Sequence, residues 1–360
     1  MNKKIKVIGL MSGTSFDGVD LSYIQTDGDR VLQYLGDSFY EYPRTLIAEY
    51  QNFFNFSLEE LLEFEKKVTI AHLEAIEIFC KNQMLTFKEI DLIGFHGQTL
   101  YHNPEKSLTL QIGNPNILTA NLGIDVVADF RRRDIENGGQ GAPLVPFYHR
   151  AIIDDSLYPA TIVNIGGISN VTILGKNTIT AFDSGPGNAP LNDFIASFNG
   201  DYHYDIDGEI SAKGEIDLAK IETLLKNDFF HKKPPKSLDR NFISYQEFKH
   251  LNMHDGAATI CFLIAKAICD TIKDQGKHVF ICGGGRKNPT IMKFLSQLSN
   301  AEVHSIDRIN DSQGRPLNGD FIESQAFAYL AARIKYNLPI ADLNTTGTKY
   351  PAPGGAFYRA

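Results

Sequence analysis

Ala160-Thr161-Ile162-Val163-Asn164-Ile165-Gly166-Gly167-Ile168-Ser169-Asn170-Val171-Thr172-Ile173-Leu174 reads as a β-strand, a glycine turn and a second strand. Its β-branched and apolar residues suit a pleated, buried surface, and the two glycines let the backbone reverse. About 155 residues earlier the same order occurs. There Lys4–Leu10 is a strand, Met11-Ser12-Gly13-Thr14-Ser15-Phe16-Asp17-Gly18 is a turn of small and polar residues, and Val19–Ile24 alternates as a second strand. Two such hairpins, each opening one half of the chain, predict a duplicated α/β unit; the competing reading is two unrelated hairpins.

Outward from these hairpins, helix and strand patterns alternate. Ser57–Leu85 is helical, with Ser57 and Glu60 at capping-box spacing. Leu92–Phe95 is a strand that leads into His96-Gly97-Gln98-Thr99, read as a polar turn. In the second half Gly256–Ile272 is helical, His278–Cys282 is a strand, Gly283–Gly285 a sharp turn and Pro289–Leu298 an amphipathic helix. Ile322–Ile334 is the last helix, and Asn344–Ala360 reads as irregular structure. The weakly marked boundary near residue 130 predicts an N-terminal lobe of residues 1–130, completed by the C-terminal tail, and a C-terminal lobe of residues 131–360.

The 360 residues exceed the roughly 250–300 at which one core stops growing, so two domains are expected. With 35 basic and 43 acidic side chains the net charge is −8, which offers no cationic field to nucleic acid or anionic lipid. No apolar run is long enough to span a membrane, and the stretch Val7–Met11 is too short for an export signal. Four cysteines without a C-x-x-C pair fit a reducing cytoplasm and argue against a zinc cluster.

Several positions offer chemistry. In Met11–Asp20, backbone N–H groups and the hydroxyls of Ser12, Thr14 and Ser15 can donate to phosphate oxygens, while Asp17 or Asp20 can hold magnesium. The Walker A pattern is absent and a strand follows, so the alternative is an ordinary tight hairpin. Gly283-Gly284-Gly285 suits close approach of a nucleotide's sugar or base, or is a plain turn; a dinucleotide fingerprint fails because position 288 is Asn288. Asp183, ahead of Ser184-Gly185-Pro186-Gly187-Asn188, reads as a general base at a strand end or as a turn-initiating aspartate. An arginine within Asp129–Asp134 can grip an anion in a forked contact, the alternative being a solvated charge run. Glu323 suits sugar hydroxyls or simply the start of a helix, and His96 a ligand contact or a structural hydrogen bond.

Taken together, these residues resemble one family. Gly9–Asp20 (GLMSGTSFDGVD) is similar to the signature of the anhydro-N-acetylmuramic acid kinases. Gly94–Thr99 (GFHGQT), Gln111–Pro115 (QIGNP), Asp129–Pro146 (DFRRRDIENGGQGAPLVP), Asn164–Asn170 (NIGGISN), Asp183–Asn188 (DSGPGN) and Cys282–Pro289 (CGGGRKNP) follow in the family's order. Departures are Phe16 where leucine is common, Phe95 where a small residue is common, and Ser184 in place of threonine. None removes a reacting group.

The resemblance implies a duplicated two-lobe fold of the actin, sugar-kinase and heat-shock-70 type with ATP in the interdomain cleft. It implies ATP-dependent opening of a 1,6-anhydro sugar ring by water with phosphorylation of O6, as in cell-wall recycling. Asp183 would be the base. Gly13, Thr14, Ser15, Asp17, Gly18 and Asp20 would form the phosphate hairpin, with Mg2+ at Asp17; Gly166 and Gly167 would form a second phosphate turn and Gly283, Gly284 and Gly285 the adenosine loop. His96, Arg131 and Glu323 would face the sugar. The small-molecule anhydrosugar is then the partner, a homodimer is compatible with the reading, and the nearest rival is a kinase of this fold acting on another sugar or a small acid. A nucleotide-switched binding protein of the heat-shock-70 type would need a peptide-binding module that the chain does not show.

Overall fold

β1 (Ile5–Ser12) and β2 (Gly18–Thr26) pair antiparallel, from Ile5 opposite Thr26 to Met11 opposite Asp20, and β3 (Val31–Glu41) adds antiparallel to β2. On the other side of β1, β4 (Leu92–Asn103) runs parallel, and the short β5 (Leu108–Ile112) folds back on β4. β6 (Val126–Ala128) is parallel to β4. Parallel neighbours need a crossover, and the helix Leu58–Asn82 supplies one between β3 and β4. Its start is set by Ser57, whose side chain accepts the Glu60 N–H while Glu60 returns a bond to the Ser57 N–H. Its buried face, including Phe64, Val68, Ala75, Ile76 and Phe79, shares a core with Ile8, Leu10, Leu21 and Tyr23 of the sheet. Each of the Val, Ile and Phe side chains contributes about 1.5–3 kcal/mol against about 1 kcal/mol for the cap, so packing holds the helix and the cap fixes where it begins.

The computed structural model describes residues 2–198, 203–234 and 236–360. It divides into two compact units, Met1–Ile152 with Ile309–Ala360, and Ile153–Arg308. In the second unit β7 (Ala160–Ile165), β8 (Ile168–Leu174) and β9 (Ile179–Pro186) form an antiparallel meander. β10 (His278–Cys282) lies parallel to β7, and β11 (Glu302–Ser305) parallel to β10. The helices Met253–Ile272 and Pro289–Leu298 cover this sheet through Ile260, Ile264, Ile268, Ile291 and Leu295. The order β3-β2-β1-β4-β6 of the first unit is thus repeated as β9-β8-β7-β10-β11, with the same strand directions. This is the duplicated α/β, two-lobe plan expected from the two hairpins.

The helix Ile322–Lys335 returns to the first unit and lies against β1 and β4. Gly9 and Gly94, register partners on those strands, make that possible. A Cβ on Gly9 would stand 2.0 Å from the Ser324 carbonyl oxygen, and one on Gly94 2.3 Å from that of Phe327. Gly9 faces this helix while its neighbours Ile8 and Leu10 belong to the core with helix Leu58–Asn82, so β1 is covered on both faces, as its nearly unbroken burial reflects.

Four expectations are corrected. The unit boundary falls at Ile152 rather than near residue 130, because Asp134 binds Thr346 (2.7 Å) and Tyr148 binds Gln325 (2.6 Å), tying residues 131–152 to the returning C-terminal segment. His96–Thr99 is not a turn: β4 continues to Asn103 because β5 supplies a partner, and the strand absorbs Gly97 at φ 72° as an irregularity. Asp183 lies inside β9, not at its end. The tail is not wholly irregular, since β12 (Ala356–Tyr358) pairs antiparallel with β6. No helix of the described residues is long and apolar enough to cross a membrane.

Candidate active site

In each unit the singled-out residues gather at the carboxyl ends of the parallel strands, where open α/β sheets present backbone groups to ligands. In the first unit the turn after β1 adjoins β4, with Ser12 opposite Gln98, and Gln98 Nε2 donates to the Gly13 carbonyl at 3.2 Å. Phe16 anchors this turn from below. It is fully buried, with φ 51°, stacked on Tyr50 at 4.1 Å and tilted against Tyr42 at 4.5 Å. The Phe16 N–H donates to Gly13 and the Tyr42 N–H to Asp17, so an apolar plug holds a polar rim. Thr14, Ser15 and Asp17 stay exposed, whereas Ser12 is buried in β1 and its hydroxyl is not on the surface of the turn.

The glycines separate into two kinds. Where Gly13, Gly166, Gly167 and Gly284 lack a Cβ, that atom would meet its nearest neighbour at 3.5 Å or more, so packing does not require glycine there. Gly18, Gly283 and Gly285 are packed instead. Their missing Cβ atoms would lie 2.3 Å from Tyr40, Asn164 and Ile165, respectively. The last two contacts also show that the loop after β10 sits directly on the end of β7, next to Gly166. The turn Gly166–Gly167 is itself held by the helix Asn188–Ala196, whose first N–H groups donate to its carbonyls: Asn188 to Gly166 at 2.7 Å and Ala189 to Gly167 at 3.2 Å.

Asp183 on β9 is half-buried. Its N–H donates to the Lys236 carbonyl at 3.1 Å, and its Oδ2 accepts the Leu238 N–H at 2.7 Å. Oδ1 has no hydrogen-bond partner among the described residues. Burial pushes this carboxyl up to about 6, against the Leu238 bond and the Lys236 charge, which hold it down. A carboxylate near neutrality with one free oxygen can take a proton.

In the first unit, His96 on β4, Arg131 at the start of the helix Arg132–Glu136, and Glu323 in the first turn of the helix Ile322–Lys335 form one group. Arg131 Nε donates to His96 Nε2 at 2.9 Å, and its Nη1 donates to the Gly141 carbonyl at 2.7 Å. His96 Nδ1 lies 2.9 Å from the Gly97 carbonyl, and the His96 ring leans on Phe327 at 4.4 Å. Arg131 Nη2 is left without a protein partner among the described residues. Glu323 presents its side chain to solvent yet is ringed by protein, and that desolvation pushes its carboxyl up while Arg131 opposes the shift.

Asp20 stands close to this group. Burial, then the charges of Glu323, Asp17, Asp320 and Asp37, push its carboxyl up to about 7. Ser15 Oγ donates to Asp17 Oδ1 at 2.8 Å, which orients that carboxylate on the rim. Such crowding of acids is relieved by a cation. By contrast, Arg132 and Arg133 are exposed, and Arg132 pairs with Asp129 at 3.7 Å, so they are surface charges.

Sequence spacing missed three things: the segment Lys236–Leu238 beside Asp183, the aromatic plug under the first turn, and the Arg131–His96 bond. Each joins residues far apart in the chain. Spacing also missed a cluster of His278, Glu302 and His304 on β10 and β11. Arg308 donates to His304 Nδ1 at 2.9 Å, and a Glu302 carboxylate oxygen lies 3.4 Å from His278 Nδ1 and 3.6 Å from His304 Nε2, at the strand end opposite Gly283.

A family model described as "Anhydro-N-acetylmuramic acid kinase" matches residues 5–360. A protein of that name from Rhodopseudomonas palustris (strain HaA2) is 41% identical over 376 residues, covering 98% of each chain. Another from Methylorubrum populi is 39% identical over 379 residues, covering 97% of this chain and 98% of that one. Among solved structures, an activator of the 2-hydroxyisocaproyl-CoA dehydratase from Clostridium difficile with bound ADPNP is 14% identical with a TM-score of 0.45, covering 92% of this chain and 97% of that one.

Proposed function

Since this chain belongs to the anhydro-N-acetylmuramic acid kinase family, we propose that Asp183 is the base in its reaction and that the glycine turns serve its ATP. The enzyme is an ATP-dependent kinase of 1,6-anhydro-N-acetylmuramic acid. It turns the anhydrosugar, water and ATP into N-acetylmuramic acid 6-phosphate and ADP, a step of peptidoglycan recycling. Buried cysteines outside any disulfide at all four positions are in keeping with a cytoplasmic location.

The observation that carries the assignment is the state of Asp183: half-buried, raised to about 6, with Oδ2 held and Oδ1 free. Water adds to C1 of the sugar and gives its proton to Oδ1. The C1–O6 bond breaks, O6 takes the γ-phosphoryl group and ADP leaves. Base assistance of this kind is worth about 10²–10⁴-fold, or roughly 3–5.5 kcal/mol of barrier.

The remaining roles follow motif by motif. Gly13 with Thr14 and Ser15, and Gly166 with Gly167, take the phosphates; protein comes no closer than 3.6 Å to their missing Cβ positions, which supports close backbone approach. Gly284 serves the adenosine, while Gly283 and Gly285 keep its loop in shape and Gly18 keeps β2 against β3. Arg131, His96 and Glu323 bind the sugar, Arg131 through Nη2. The carboxylates fit Mg2+: Asp17 and Asp20 would hold it with the phosphates, and bound there it offsets phosphate charge. A homodimer remains compatible with these roles and is tested by light scattering.

The decisive experiment uses oxygen-18 water with ATP, magnesium and the anhydrosugar. Label at C1 of a 6-phosphorylated product is expected. Unlabelled product overturns the hydrolytic step, and phosphorylation of only some other sugar or small acid favours the rival kinase.

A further inference from the structure

The segment Lys236–Leu238 grips Asp183 at two points. It accepts the Asp183 N–H at the Lys236 carbonyl (3.1 Å) and donates the Leu238 N–H to Oδ2 (2.7 Å). Two bonds to one residue, one from its main chain and one from its carboxylate, fix both the position and the rotation of the side chain. Without that grip Oδ1 and Oδ2 would exchange places.

What anchors the segment is the Lys236 side chain. Its ammonium group donates to the Phe229 carbonyl at 3.2 Å and lies 4.5 Å from the Phe229 ring centre and 5.8 Å from that of Phe182. A lysine so seated is held by a carbonyl and two ring faces rather than by a carboxylate. No ion pair joins it to Asp183, although it is the cation whose charge acts on that carboxylate. The positive charge is therefore near enough to favour the ionised base and too far to occupy its free oxygen.

We propose that Lys236 is a positioning residue for the base: seated on Phe229, it locks the Lys236–Leu238 segment so that Asp183 offers Oδ1, and only Oδ1, to the attacking water. This rests on Asp183 being the base. Nothing in the reaction requires Lys236 to gain or lose a proton; its work is geometric, with a through-space charge.

Lys236→Met keeps the aliphatic stem and removes the anchoring bond and the charge, and Lys236→Arg keeps a cation. In Lys236→Met, kcat is expected to fall at least about tenfold with the sugar KM changed less than about threefold. Loss of a nearby positive charge disfavours the ionised carboxylate, so the acid limb of kcat against pH should move upward by about half a unit. Lys236→Arg should recover much of kcat and return the limb toward its original place. Calorimetric ATP binding and the melting temperature report whether each variant is folded. An unchanged kcat and acid limb in folded Lys236→Met overturns the proposal, as does an effect on KM alone. Asp183→Asn separates the two ideas. If it retains activity the base assignment fails, whereas an inactive Asp183→Asn beside an unaltered Lys236→Met removes only the role of Lys236. Should Lys236→Met not fold, Phe229→Leu, which removes one ring face beneath the ammonium, is expected to show a smaller upward move of the same limb; an unmoved limb there overturns the proposal equally.

Discussion

Arg131 Nε donates to His96 Nε2 across 2.9 Å, and both side chains rest on Phe327. An arginine always donates, so His96 Nε2 must accept, and the imidazole proton sits on Nδ1 facing the Gly97 carbonyl. Burial, then the Arg131 charge, hold His96 well below its ordinary pKa, which keeps it neutral. In the proposed site His96 would act on the sugar through Arg131, by fixing the guanidinium plane. His96→Ala is expected to raise the sugar KM by about tenfold, a loss of about 1.4 kcal/mol, and to leave ATP binding unaltered. Arg131→Lys, which cannot present the same planar donors, should cost more. Steady-state kinetics with each substrate varied in turn checks both, and a larger effect on ATP than on sugar refutes the role.

Asp183 couples activity to stability in opposite senses. Its carboxyl is raised to about 6, so in the proposed role as base it is lost as pH falls through that value, and kcat/KM should drop on the acid side with an apparent pKa near it. The folded protein holds this proton more tightly than the unfolded chain does. Stability therefore declines as pH rises through the interval between the ordinary aspartate value of 3.8 and about 6. Asp183→Asn removes a buried charge and can still accept from Leu238. It should abolish turnover yet raise stability at neutral pH by up to about 2 kcal/mol. Urea denaturation of an inactive variant that was less stable than the parent would contradict this account.

Gly9 and Gly94 place Glu323. The Ser324 carbonyl oxygen lies where a Gly9 Cβ would stand, and Ser324 follows Glu323 directly. Gly9→Ala therefore displaces the first turn of that helix. A stability loss of about 1–3 kcal/mol is expected from overpacking, with a fall in kcat/KM for the sugar that exceeds the change in ATP binding. If denaturation and kinetics both stay at parental values, the close approach of helix and sheet is not needed.

Ser57→Ala is the matching case without a functional arm. The capping box of helix Leu58–Asn82 is exposed and belongs to none of the candidate groups. A loss of about 0.5–2 kcal/mol in denaturant unfolding with unaltered kinetics is expected.

Local chemistry made much of this architecture legible. Ala160–Ile165, His278–Cys282 and Pro289–Leu298 fall where apolar pattern and glycine turns put them, and Ser57 caps its helix through the bonds its spacing implies. His96-Gly97-Gln98-Thr99 misleads because its composition is that of a turn; only β5, which pairs from Gln98 onward, keeps the strand going. The edge of the first unit was illegible for the same reason, since Asp134 and Thr346 meet across 212 residues. At the site, residue types pointed to Asp183, but the bond that orients it comes from Leu238, 55 residues on, and no periodicity announces it.

Asp20 gives the final test, because its carboxyl is pushed up to about 7 by burial and by four neighbouring acids. A divalent cation favours the ionised form, so a proton and the cation compete, and by linkage each weakens the other. As pH falls through about 7 the magnesium concentration giving half-maximal phosphoryl transfer should rise, approaching about tenfold per pH unit once Asp20 is protonated. ATP itself binds magnesium with its own pH dependence, so Asp20→Asn is the reference. That variant should need more magnesium at every pH and show a shallower slope than the parent, the difference being the share of Asp20. Parallel slopes would place the cation away from Asp20 and leave Asp17 as its ligand.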